Sequence, residues 1–281
     1  MRDGLEFDGS TRLFFTIGHP VAQIRMPRIM PPVFAALGMN AAWLTLDIAP
    51  GALGAALDGL RRVRNLAGLS VTIPHKPDAL ALADRASDRA KAAGAANLLR
   101  VEADGSLTAD IVDGVGFVEG LRARGFEPAG RRVWLVGSGG AGSAIAAALC
   151  EAGISALALT DLDPARADAC LNRLSALHPT VGLTKAEPGR PPDGCDLAVN
   201  ASPCGLKAED PLPFDPALLP SGALVADAIM KPPVTPLLRA AQALGHPTQP
   251  GRLMLDHQIA PLLRFFGVEA EPALVLGAIP D

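Results

Sequence analysis

The chain contains no tyrosine, and aromatic residues make up only 4% of its 281 positions. No phenol is therefore available to any site. No apolar run approaches the roughly 20 residues needed to span a bilayer, which argues against a membrane-spanning helix. Basic residues form no stripe: 25 Lys and Arg are scattered among 29 Asp and Glu, the net charge is −4, and nothing points to nucleic acid. The four cysteines, Cys150, Cys170, Cys195 and Cys204, stand far apart with no C-x-x-C and no paired histidine spacing. They read as buried free thiols of a cytoplasmic protein, and no metal is expected. The opening stretch, Met1-Arg2-Asp3-Gly4-Leu5-Glu6-Phe7-Asp8, is polar and acidic, which predicts no cleaved leader. Hydrophobic residues make up 49% of the chain, enough core for two modest domains or one large one.

The clearest positive feature is Val133-Trp134-Leu135-Val136-Gly137-Ser138-Gly139-Gly140-Ala141-Gly142. A buried-strand pattern breaks into G-x-G-x-x-G and continues into the small-residue helix 143–149. In a dinucleotide-binding unit Gly137 makes the tight turn, Gly139 lets backbone approach a pyrophosphate, and Gly142 lets helix and strand pack closely. A second apolar strand, Ile154 to Thr160, ends in Asp161, where an acid can bond a ribose 2′-hydroxyl.

Strand and helix patterns alternate along the chain, which predicts an α/β protein of two domains with helices over mostly parallel sheets. Strands are expected at 12–17, 42–48 and 68–73, with helices at 27–37 (interrupted by Pro31-Pro32), 52–63 and 87–93, the last capped by Ser87. A hairpin pairs 97–102 with 106–111 through Asp104-Gly105. Helix 115–124 leads to the glycine loop. Beyond it lie helix 164–177, strands 197–200 and 223–226, and helix 235–244 capped by Thr235 with Pro236 in its first turn. The chain is again helical from Gly251 through Phe266 and from Glu271, and 187–194 reads as a surface loop. The expected divisions are a substrate-binding and catalytic domain at 1–113, a dinucleotide-binding Rossmann-like domain at 114–246, and C-terminal helices at 247–281 packing back on the first domain.

Ser70-Val71-Thr72-Ile73-Pro74-His75-Lys76 places a lysine just after the carboxyl end of a strand, where ligands collect in open α/β sheets. An ammonium in partly dry surroundings can carry protons. By position alone Lys76 reads equally as a solvated surface residue, Asp113 as a helix N-cap, and His75 as a packed or turn histidine.

Taken together, several segments resemble the shikimate/quinate dehydrogenase family over nearly the full length. They are Gly18-His19-Pro20-Val21-Ala22, the Ser70–Lys76 segment, Gly94-Ala95-Ala96-Asn97, Asp113-Gly114-Val115-Gly116-Phe117, the glycine loop, Asn200-Ala201-Ser202-Pro203-Cys204-Gly205-Leu206, and Gly251-Arg252-Leu253-Met254-Leu255 with Gln258. The resemblance implies an N-terminal substrate domain, a Rossmann-like cofactor domain and a site in the cleft between them. It implies that Lys76 and Asp113 are the catalytic pair, moving the hydroxyl proton while a nicotinamide takes the hydride. Ile24, Met26, Thr72, Asn97, Met230 and Gln258 match substrate-contacting positions. Gly137, Gly139, Gly140, Ala141, Gly142, Asp161, Asn200, Ser202 and Gly251 match cofactor-contacting ones.

The pattern breaks where the family holds its substrate carboxylate. The two hydroxyl residues of S-x-S/T are Ile24 and Met26 here, around Arg25, and the tyrosine of D-x-x-Y is Met230. The asparagine and threonine before the catalytic aspartate are Ile111 and Val112, and the asparagine of N-V-T is Ser70. Each lost hydrogen bond to an anion costs roughly 1.5–3 kcal/mol. A less polar cyclic alcohol suits this lining; the alternative is a new anion contact from Arg25 or Lys231, with shikimate or quinate still turned over. A non-catalytic ligand-sensing homologue is a third reading, disfavoured by the retained Lys76, Asp113, Asn97 and Gln258. In place of the asparagine-arginine pair that holds a 2′-phosphate stands Asp161-Leu162-Asp163, so NAD is expected over NADP, with Arg166 able to soften that preference. The expected partners are a small-molecule substrate and this cofactor, with a homodimer left open.

Overall fold

The computed structural model describes residues 7–207 and 209–280. Most of the opening stretch read above therefore lies outside the described residues. The chain forms two compact units. One holds the positions up to Ala90, Ala95–Val112 and those from Ile259 onward; the other holds Lys91–Gly94 and Asp113–Gln258.

In the first unit the elements follow as β1 (Arg12–Gly18), α1 (Met26–Ala36), β2 (Ala41–Asp47), α2 (Leu53–Leu60), β3 (Leu66–Val71), α3 (Lys76–Ala81), β4 (Arg85–Ala86), α4 (Asp88–Ala93), β5 (Leu98–Val101) and β6 (Leu107–Asp110). They build one six-stranded sheet in the order β2-β1-β3-β5-β6-β4. Strands β2, β1 and β3 are parallel, whereas β5 pairs antiparallel with both β3 and β6. The hairpin expected through Asp104-Gly105 is thus what turns a parallel sheet into a mixed one. Ser87 caps α4, its hydroxyl accepting from the Ala90 N–H at 3.2 Å.

Two apolar layers flank this sheet. On one side Phe14, Phe34, Trp43 and Phe266 pack ring to ring, with centroids 5.3–6.4 Å apart. A Cβ at Gly68 would sit 2.5 Å from the Phe266 ring, so glycine is what lets the ring lie on the strand. On the other side Ile17, Leu53, Leu57, Leu69, Val71 and Leu99 form a second buried cluster. Helix α1 runs unbroken through Pro31 and Pro32, contrary to the expected interruption. Each interior proline costs about 3 kcal/mol. Burial of Ile29, Met30, Val33 and Phe34 offsets this at about 1.5–3 kcal/mol apiece, because all four face the core.

The second unit continues with α5 (Asp113–Ala123), β7 (Arg132–Val136), α6 (Gly140–Glu151), β8 (Ala156–Thr160), α7 (Pro164–Leu177), β9 (Gly182–Lys185), β10 (Leu197–Asn200), β11 (Leu224–Asp227), α8 (Pro236–Ala243) and β12 (Thr248–Gln249). Two further helices, α9 (Arg252–Phe265) and α10 (Pro272–Ala278), complete the chain. The sheet order is β12-β11-β10-β7-β8-β9, parallel throughout. Starting from β7, this is the 3-2-1-4-5-6 order of a doubly wound dinucleotide-binding sheet, whose direction of winding reverses between β7 and β10. Trp134 fills the core between strand and loop, 4.9 Å from Phe214, with its indole N–H satisfied by the Thr160 hydroxyl at 2.9 Å.

Sequence pattern places divisions at 113/114 and 246/247; the second unit runs on through Gln258. Close helix packing accounts for the extra length. A Cβ on Gly116 of α5 would fall 2.3 Å from the Met254 carbonyl, and one on Gly120 3.1 Å from Leu253, so the first half of α9 nests against α5. Among the described residues no helix is long and apolar enough to cross a membrane, and no cluster of metal-binding side chains is found.

Candidate active site

In the first unit the carboxyl ends of β1, β2 and β3 lie level. Gly18 pairs with Asp47 and Ile17 with Val71, so the residues just beyond these strands share one edge of the sheet. The Thr72 N–H donates to the Ile17 carbonyl (2.8 Å), and the His19 N–H to the Ile73 carbonyl (3.0 Å). Glycine at 18 is required here: a Cβ would meet the Thr72 methyl at 2.6 Å and Ile24 Cδ1 at 3.5 Å. Thr72 and Ile24, both half-buried, are therefore neighbours across Gly18.

Lys76 is the first residue of α3, a short helix not anticipated from the sequence, and it is half-buried. Its carbonyl accepts from the Ala96 N–H at 2.9 Å, which ties it to the segment carrying Asn97. Asn97 is itself buried. Its backbone bridges Val71 and Asp110, and its side-chain oxygen accepts from the Val112 N–H at 3.0 Å. His75 is fully buried, with Nε2 donating to the Ile48 carbonyl at 2.8 Å, so it is a packed histidine. Met26 opens α1 and is buried; Arg25, the N-cap of that helix, lines a pocket with Arg28, Ile29, Pro32 and Pro280. The first unit thus assembles Ile24, Thr72, Lys76 and Asn97 on one edge.

In the second unit the glycine loop fits a dinucleotide. Gly137 has φ +99°, open to glycine but strained for other residues. A Cβ on Gly142 would overlap the Gly137 carbonyl at 1.9 Å, while Gly139 has open space around it. Helix α6 starts at Gly140 without a side-chain cap, so the N–H groups of its first turn, including Gly140, Ala141 and Gly142, are available to a phosphate. Asp161 folds toward this loop. One carboxylate oxygen accepts from both the Ser138 N–H (2.7 Å) and the Ser138 hydroxyl (2.6 Å), and the other from the Asp163 N–H (2.9 Å). Partial burial alone would raise its pKa, but these bonds outweigh burial and hold the carboxyl below its ordinary range. Arg166 pairs with Asp163 at 3.4 Å. Leu162, between the two acids, is 90% exposed.

Asn200 ends β10 and is fully buried. Its side-chain oxygen accepts from the Ser202 N–H and hydroxyl, and its amide donates to the Cys204 carbonyl and to Asp227 at 3.1 Å. These bonds set the shape of the Ser202–Gly205 loop at the winding reversal. Asp227, also fully buried, accepts in addition from the Ile229 N–H (2.9 Å) and the Thr235 hydroxyl (2.7 Å). Gly251 lies against the same stretch, since a Cβ there would sit 2.5 Å from the Ile229 carbonyl. Met230 is half-buried. Gln258 is buried, and its side-chain oxygen has no partner among the described residues, as expected of a group kept for a ligand. Asp113 opens α5 and is buried; Gly114 beside it lets α5 approach α6, a Cβ there meeting the Ala144 carbonyl at 2.0 Å.

Burial raises the Asp227 pKa against its hydrogen bonds, so the folded state holds that proton more tightly than the unfolded chain. Stability from this group is full below the ordinary aspartate pKa and is lost as pH rises through the raised value. Asp227→Asn is expected to remove this loss of stability above the ordinary aspartate pKa in thermal melts. Asp227→Ala strands three donors and is expected to cost about 2–4 kcal/mol.

The comparisons with known proteins agree with this arrangement. A family model described as the shikimate dehydrogenase substrate binding domain matches residues 16–99. The shikimate dehydrogenase (NADP(+)) of Rubrobacter xylanophilus is 41% identical over 281 residues, covering 98% of this chain and 94% of that protein. The chain belongs to the shikimate dehydrogenase family. Two solved structures share its fold closely. The quinate dehydrogenase from Corynebacterium glutamicum in complex with NAD has a TM-score of 0.85 at 29% identity, covering 95% of this chain and 98% of that one. The ligand-free 5-ketofructose reductase of Gluconobacter sp. strain CHM43 has a TM-score of 0.86 at 27% identity, covering 95% and 97%. The chain is accordingly a family oxidoreductase that uses a nicotinamide cofactor.

Sequence reading missed the Ser138–Asp161 contact, the Asp227–Thr235 network and the pairing of His19 with Asp47. The first had a visible signal, a serine inside G-x-G followed by an acid at the next strand end.

Proposed function

We propose that the chain is an NAD-dependent oxidoreductase that interconverts a secondary alcohol and a ketone on a cyclic, shikimate- or quinate-like substrate lacking a free carboxylate. The observation that carries this reading is the replacement of the family's carboxylate-holding hydroxyls by Ile24 and Met26, while Thr72, Lys76 and Asn97 keep their places on the same unit. Met230, in place of tyrosine, makes the same change on the second unit. That a protein of this fold is named for reduction of 5-ketofructose, a ketone without a carboxyl group, supports it.

Bound nicotinamide would take or return the hydride. The residues of this chain do the rest. The backbone of Gly137–Gly142 receives the pyrophosphate, and Asp161 receives the ribose hydroxyls. Asn200 positions the Ser202 loop, and Gly251 holds the stretch that carries Met230. Asn97 and Gln258 orient substrate hydroxyls, and Thr72 contacts the ring. Lys76 and Asp113 are the acid–base residues that exchange the hydroxyl proton with the reacting oxygen. Ile24 and Met26 on the first unit, and Met230 on the second, offer no hydroxyl to hold a carboxylate.

The test is a panel followed by NADH absorbance, with shikimate, quinate, methyl shikimate and cyclohex-4-ene-1,2,3-triol as alcohols. Turnover of an uncharged member at more than tenfold the kcat/KM of either acid is expected. Preference for shikimate or quinate would instead favour a new carboxylate contact from Arg25 or Lys231.

A further inference from the structure

We propose that His19, held by Asp47, is a further substrate-binding residue that accepts a hydrogen bond from a substrate hydroxyl. The inference rests on the reading above, in which the substrate is a hydroxylated ring without a carboxylate. Its position comes from strand register. Gly18 pairs with Asp47, so His19 is one residue past β1 just as Thr72 is one residue past β3, and its N–H is tied to the turn after Thr72. It therefore stands on the same carboxyl edge as Ile24, Thr72 and Lys76.

Its orientation comes from Asp47. Nδ1 lies 2.7 Å from an Asp47 carboxylate oxygen, which can only accept, so Nδ1 donates and Nε2 is the acceptor of the neutral ring. The imidazole is 48% exposed, and Nε2 has no partner among the described residues. An acceptor lone pair beside an aspartate repels a carboxylate and welcomes an O–H donor. With the serine-type hydroxyls gone at 24 and 26, the pair supplies a polar contact suited to a neutral polyol. Recognition would then combine the apolar Ile24 with one oriented acceptor, a common way of fixing a small ligand.

The test uses methyl shikimate and NAD on the full chain, with shikimate run in parallel. His19→Phe is expected to raise KM for methyl shikimate about tenfold, with kcat within threefold and the NAD dissociation constant unchanged. Asp47→Asn is expected to raise KM about threefold. His19→Gln, which keeps an acceptor at similar reach, is expected to stay within threefold of wild type. Unchanged NAD binding also shows that the variants are folded. An unaltered KM in His19→Phe, while wild type still prefers the ester, overturns the role of His19 and leaves the substrate reading standing. A wild-type preference for shikimate overturns the substrate reading, and the KM of His19→Phe for shikimate then decides the His19 contact separately. Absence of binding or turnover of both probes by wild type overturns both.

Discussion

Lys76→Ala is expected to lower kcat by about 10³-fold, within the 10²–10⁴ that a positioned acid–base group contributes. The backbone at this position is fixed independently of the side chain, since the Lys76 carbonyl accepts from Ala96 and α3 begins there. Truncation removes the ammonium and leaves this backbone bond in place. The NAD dissociation constant is expected to be unchanged, because the residues proposed to bind it lie in the other unit. Asp113→Asn is expected to fall by a comparable factor. It keeps the shape of a buried residue at the start of α5 and removes the charge. Either variant retaining more than a tenth of wild-type kcat on the preferred alcohol would remove that residue from the mechanism. The comparison also separates an enzyme from a ligand-sensing homologue, in which neither change would alter a catalytic rate.

Cofactor choice carries the second large effect. NAD is expected to bind at least 100-fold more tightly than NADP, close to 3 kcal/mol at 1.4 kcal/mol per factor of ten. The Asp161 carboxylate is held at the end of β8 by Ser138 and Asp163, with its pKa below the ordinary range; in the proposed binding mode it would present a fixed negative charge to a 2′-phosphate. Two unit charges 4 Å apart at an effective dielectric near 20 interact by about 4 kcal/mol, enough to set the preference even after screening. Arg166 does not restore the phosphate site in this conformation, because its guanidinium pairs with Asp163. Asp161→Asn can keep the Ser138 contacts while removing the charge, and is expected to bring the two dissociation constants within tenfold of each other. Equal affinities in the wild type, measured by calorimetry, would contradict the role given to Asp161. The matter is open to decision because the 41% identical relative carries NADP(+) in its name, whereas the quinate dehydrogenase was solved with NAD.

Much of the second unit was legible in the sequence because its signals are local. A buried run breaks into glycines, and Thr235 caps α8 before Pro236. Each depends on neighbours only a few residues away. Other features depend on partners far along the chain. The two-residue strands β4 and β12 exist only by pairing with β6 and β11. The unbroken course of α1 through two prolines is decided by the core it covers.

The candidate site divides in the same way. Residue types at Lys76, Asp113 and Asp161 carry their chemistry in the sequence. The reason for glycine at 114 and 116 appears only when the backbones of α6 and α9 are seen beside α5. His19 and Asp47 are 28 positions apart, and only the register of β1 against β2 brings them to 2.7 Å.

The most direct measurement is the ratio of kcat/KM for methyl shikimate to that for shikimate, with NAD as cofactor. The two share ring and hydroxyls and differ only in whether the carboxyl group is a neutral ester or an anion. A ratio above ten is expected. A ratio below one tenth, with shikimate the better substrate, would show that the carboxylate site has been rebuilt rather than lost, and would contradict the proposed substrate class.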